Sequence, residues 1–207
     1  MTRPRRSLTA LAIAAGALAL GIPIGTACHE FIGHGLVGLL CGGTVDYVEI
    51  LGLKVYPNFV WVGWPFGFFF GRCNVTGLAT EQREHLMSLG GSLSTWLVAV
   101  LATCALRLWQ RFWSTHRWSF TILAALTTWW IDALTYTVPV CGLKRFILWG
   151  SRYPEPYTAA TALGCPGWLF IVIVIASSAA MAASTAQMLT SPHRRAPFGT
   201  SARQSIP

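Results

Sequence analysis

Long apolar runs separated by short basic blocks organise this chain. A membrane span needs about 20 mostly apolar residues. Four segments meet that length: Leu8 to Leu40, Leu86 to Leu106, Trp118 to Val138 and Cys165 to Leu189. The first is too long for one straight span. At about 1.5 Å per residue it would reach roughly 50 Å against an apolar core of about 30 Å. Pro23, between Gly21 and Gly25, removes a backbone donor and marks the expected break. Residues 25–40 then form a short tilted or re-entrant helix.

The stretch 41–85 follows a different pattern. Thr44 to Trp61 has β-branched and aromatic residues in partial alternation, interrupted near Gly52 and Pro57-Asn58, which predicts a β-hairpin. Phe59 to Phe70 is too short to span and too apolar for open water, so it is expected at the interface or as a re-entrant segment. The expected fold is an all-α polytopic membrane protein. It has about four transmembrane helices, with a β-hairpin or re-entrant loop after the first. A basic cytoplasmic N-terminus (1–7) precedes the membrane domain (8–190), and a disordered cytoplasmic tail (191–207) follows it. The apolar run after Arg6 resembles a signal peptide, but it lacks a good small-x-small cleavage site, so it reads as a retained anchor.

Composition supports the bilayer reading. Only 11% of residues are charged, against about 25% in an ordinary soluble domain, and mean hydropathy is +0.53. The net charge of +8 does not point to nucleic acid, because the basic residues sit in blocks flanking apolar runs. Such blocks set topology. Arg3, Arg5 and Arg6, then Arg107, Arg111 and Arg117, then Arg194, Arg195 and Arg203 mark the inner side. Both termini are therefore expected in the cytoplasm, at the inner (plasma) membrane of a bacterium.

Two acidic residues, Glu30 and Asp132, fall inside the apolar segments. Ionisable groups are costly there, so each is a candidate for function. Glu30 lies between His29 and His34, and both carboxylates belong to the outer half of the bilayer. Zinc takes neutral imidazole and carboxylate ligands, three from protein and one from water, and a nearby carboxylate accepts the water's proton. His29, His34 and Asp132 are the candidate ligands, and Glu30 is the candidate base. Glu81, Glu84 and His85 are alternative third ligands. Asp132 could instead be a packing carboxyl bonded to Thr128 or Thr135.

The usual His-Glu-x-x-His spacing places both histidines on one helix face. Here the spacing is one residue longer. At about 100° per residue it separates the rings by about 140° rather than 40° on a regular helix. A one-residue π-bulge would restore convergence, and Gly33 would ease it.

On these residues the chain resembles the site-2 protease family of intramembrane zinc metalloproteases, over roughly residues 28–140. HEFIGHGLVGLLCGG from His29 is similar to the family's His-Glu-x-x-His helix, in the lengthened His-Glu-x-x-x-His form. The β-rich loop follows it. Met87 to Leu97 (MSLGGSLSTWL) is similar to the family's Gly-Pro-x-x-Asn segment, with Ser92 for Pro and Thr95 for Asn. Ile131 to Ala133 is similar to its Leu-Asp-Gly, which supplies the aspartate ligand. The resemblance implies a zinc-dependent peptidase acting on membrane-anchored protein substrates. The hairpin from Val45 to Val62 could pair with an unwound substrate as an added strand.

Two other readings use the same residues. One is a catalytically inactive relative that binds a membrane partner. The other is a metal or ion carrier built on the His-Glu-Asp cluster. Cys41, Cys73, Cys141 and Cys165 face the outer side, where an oxidising compartment could pair them.

Overall fold

The structure is a computed structural model that describes residues 21, 23–63, 71–108, 117–142 and 153–190. Helical turns from residue 23 lead into a π-helix, Cys28–Leu36, which continues as a short α-helix, α1 (Val37–Leu40). Gly42, at φ +85°, ends it. Strands β1 (Thr44–Ile50), β2 (Leu53–Tyr56), β3 (Val60–Trp61) and β4 (Gly71–Thr76) follow. The remaining helices are α2 (Glu81–Leu108), α3 (Arg117–Leu126), α4 (Trp130–Thr137), α5 (Glu155–Ala162) and α6 (Gly167–Thr190).

The expected all-α, four-span architecture is not what forms. Beside the helices lies a four-stranded antiparallel sheet in the order β3-β2-β1-β4. Leu51 and Gly52, at φ 51° and 79°, make the tight β1–β2 turn, a left-handed pair that matches the twist of a hairpin. On its other edge β1 pairs with β4, from Thr44↔Thr76 to Ile50↔Gly71, with a bulge between Val45 and Tyr47. Asp46, at that bulge, accepts hydrogen bonds from Asn74 (2.8 Å) and Thr76 (3.1 Å).

Among the described residues, two helices are long and apolar enough to cross a membrane: Glu81–Leu108 and Gly167–Met188. Among the described residues neither of the other two expected spans, 8–40 and 118–138, is such a helix. Residues 1–20 lie outside the described residues. The segment 118–138 is interrupted by a 3₁₀ turn at Thr127–Trp129. The cause is local. Thr127 Oγ1 donates to Ala124 O at 2.7 Å, and Thr128 Oγ1 donates to Ala125 O at 2.6 Å. Hydroxyls that bond back to carbonyls compete with the helical ladder and bend it. The interfacial segment expected over 59–70 is described only through residue 63. There Phe59, Val60, Trp61 and Val62 are exposed.

The helices pack in the manner of membrane bundles, through small residues and hydroxyl bonds. Gly90, Gly91, Ser92, Thr95, Ala99 and Ala102 are buried along α2. Trp96 Nε1 donates to Ser177 Oγ at 2.9 Å, and Arg107 Nε donates to Ser184 Oγ at 2.7 Å, tying α2 to α6. A larger apolar cluster, Leu106, Phe120 and Met188, closes one end. Elsewhere α6 leaves Trp168, Val172, Ile173 and Ile175 exposed, an apolar surface that suits lipid better than water.

The π-helix crosses α2 closely, and this crossing positions the site. A Cβ at Gly33 would collide with the Gly91 Cα and lie 2.7 Å from the Gly90 carbonyl oxygen. A Cβ at Gly90 would collide in turn with the Gly33 carbonyl. Only glycines allow the two backbones to touch in this way.

Candidate metal centre

The π-helix buries His29, Glu30 and His34 at 4%, 5% and 6% exposure. Buried polar groups of this kind need partners. The wider π turn brings the two histidines together despite their five-residue spacing. Their Nε2 atoms lie 3.1 Å apart, and the rings meet edge to face with centroids 4.8 Å apart.

Each ring is fixed from behind. His34 Nδ1 lies 3.0 Å from the backbone oxygen of Met87 on α2. A carbonyl only accepts, so Nδ1 carries the proton and Nε2 presents its lone pair. His29 Nδ1 lies 2.8 Å from Asp132 Oδ2 on α4, and the carboxylate fixes the same tautomer. Tyr136, one turn beyond Asp132, stacks on the His29 ring at 5.2 Å and 14°. Two imidazole lone pairs facing one another repel unless a cation lies between them, either a proton on one ring or a metal ion.

A third donor comes from the start of α5. Glu155 Oε1 lies 3.9 Å from His34 Nε2. Ligand atoms of His29, His34 and Glu155 all fall within 4.8 Å of one another, so this group could hold a metal ion. Gly91 leaves the space in front of the nitrogens open: a Cβ there would lie 2.5 Å from His29 Nε2 and 2.6 Å from His34 Nε2. Two imidazoles and a carboxylate suit zinc and other borderline divalent ions.

Glu30 points towards the sheet. A Cβ at Gly71, the first residue of β4, would be 2.5 Å from both Glu30 Cγ and Oε1. Burial pushes the thiol of nearby Cys73 up to about 12, and the Glu30 carboxylate adds to the rise. Cys73 does not belong to the three-residue group.

The structure thus brings His29, Glu30, His34 and Asp132 into one neighbourhood, with Asp132 on the Nδ1 side of His29. The hydroxyls of Thr128 and Thr135 do not engage the Asp132 side chain; they donate to the backbone oxygens of Ala125 and Asp132. Glu81, Glu84 and His85 occupy the first turn of α2 and are not in the three-residue group. Among the described residues all six cysteines are free.

Sequence reasoning missed Glu155. Its signal was weak: an acidic residue between Pro154 and Pro156, opening a helix in a loop otherwise read only for charge. Comparison of the chain with protein-family models, curated proteins and solved structures gives no match.

Proposed function

We propose that the protein is a membrane-embedded, zinc-dependent peptidase in which His29, His34 and Glu155 hold the metal and Glu30 is the general base. One observation carries this reading: two histidine Nε2 atoms lie 3.1 Å apart, with both Nδ1 atoms committed to acceptors. A tetrahedral zinc ion with Zn–N of about 2.0–2.1 Å holds two nitrogens about 3.3 Å apart. The observed pair is close to that separation.

When bound, zinc would supply a Lewis acid for the scissile carbonyl and lower the pKa of a coordinated water. The remaining work falls to this chain's own residues. The buried Glu30 carboxylate takes the proton of the attacking water and passes it to the leaving amine. Burial of His29, Glu30 and His34 keeps bulk water from the reacting atoms. Helices 81–108 and 167–188 hold the site in the bilayer, so the substrate class is membrane-anchored protein. The resemblance of the His29–His34 segment to the site-2 protease family's His-Glu helix supports the same reaction, with Glu155 in place of the aspartate ligand that the resemblance assigns to Asp132.

The test is cleavage by the purified full chain in liposomes, read on a quenched fluorescent peptide library with apolar segments. A phenanthroline chelator should abolish cleavage, and added zinc should restore it. A library with no zinc-dependent cleavage of any member would contradict the peptidase reading.

A further inference from the structure

We infer that Asp132 is a positioning residue and not a metal ligand, and that Thr95 on α2 completes a Thr95–Asp132–His29 relay that aims the His29 Nε2 at the metal. The inference rests on the metal-site reading above and assigns roles to residues outside the ligand set.

The same oxygen, Asp132 Oδ2, receives both His29 Nδ1 at 2.8 Å and Thr95 Oγ1 at 2.7 Å. Thr95 is almost fully buried, at 1% exposure. Its single hydroxyl proton has two acceptors in reach, Asp132 Oδ2 at 2.7 Å and Ser92 O at 3.0 Å. The charged and nearer acceptor takes it, since hydrogen bonds to a carboxylate are the shorter and stronger kind.

Geometry excludes a double role for that oxygen. Nδ1 and Nε2 sit on opposite sides of the imidazole ring. An oxygen bonded to Nδ1 lies roughly 6 Å from a metal bound at Nε2. Glu155, by contrast, approaches from the Nε2 side. Three residues from two helices therefore fix one ring: Asp132 sets its rotation, Tyr136 on the same helix sets its plane, and Thr95 anchors the carboxylate from α2. Such outer carboxylates raise ligand basicity, and their loss typically weakens metal affinity 10–100-fold.

The experiment loads the purified full chain with Co²⁺ and reads both its d–d absorption and its dissociation constant by chelator competition. Asp132→Asn should keep one Co²⁺ per chain and an unchanged band position, with affinity weakened about 10–100-fold. Thr95→Val should weaken affinity in the same direction by less, and Thr95→Ser should restore it. The double variant should be no worse than Asp132→Asn alone, because both act through one oxygen. Glu155→Ala should shift the band, as loss of a ligand does.

Loss of Co²⁺ or a shifted band in Asp132→Asn, with Glu155→Ala unchanged, would make Asp132 the ligand and overturn the inference. If Asp132→Asn does not fold, wild-type affinity in Thr95→Val would overturn it equally. A wild-type chain that takes up no stoichiometric Co²⁺ would instead sink the metal reading itself, and the relay with it.

Discussion

Glu30→Gln is expected to slow peptide cleavage by roughly 10²–10⁴-fold, the range that a general base contributes, while the metal content stays that of the wild type. The amide matches the carboxylate in shape but cannot take a proton. Glu30 is buried, and its Cγ and Oε1 pack against the first residue of β4. An isosteric change preserves that packing better than alanine would. Glu30 is not among the three residues proposed as ligands, His29, His34 and Glu155, whose ligand atoms lie within 4.8 Å of one another. Cleavage assays and metal analysis on one preparation separate the outcomes. Loss of metal in Glu30→Gln would make Glu30 a ligand and favour the carrier reading. Unchanged cleavage would remove Glu30 from the reaction.

Gly91→Ala is expected to lose the metal completely. The new Cβ would lie 2.5 Å from His29 Nε2 and 2.6 Å from His34 Nε2. Neither ring can retreat without breaking its Nδ1 bond to Asp132 or to Met87. Alanine is otherwise the better helix former by about 1 kcal/mol, so helical content should not fall. Circular dichroism beside metal analysis checks both halves. A metal-loaded Gly91→Ala protein would show that the ion binds elsewhere.

The parts of this site that sequence could reach were those governed by local geometry. Five residues from His29 to His34 do not converge on a regular helix, so the spacing itself calls for a π turn, and Cys28–Leu36 is a π-helix. Asp132 stood out because an acidic residue in an apolar run is costly, and its carboxylate meets His29. Glu155 was not legible. Its approach depends on how α5 packs against the rest of the chain, and no periodicity records that. β4 was missed because Gly71–Thr76 is short and polar, and it becomes a strand only by pairing with β1. The break at Thr127 and Thr128 was missed for a related reason: two hydroxyls bonding back to Ala124 and Ala125 outweigh an unbroken apolar pattern.

The central claim is that the lengthened motif is a metal site, and the most direct measurement is metal analysis of the purified wild type beside His34→Ala. His34 supplies one of the two facing nitrogens, and the Met87 carbonyl holds its other ring nitrogen. The account predicts about one divalent ion per wild-type chain and none in His34→Ala. Equal trace metal in both proteins would mean that the cation between the rings is a proton. The pair would then be a structural contact, and zinc-dependent cleavage would fall with the metal site.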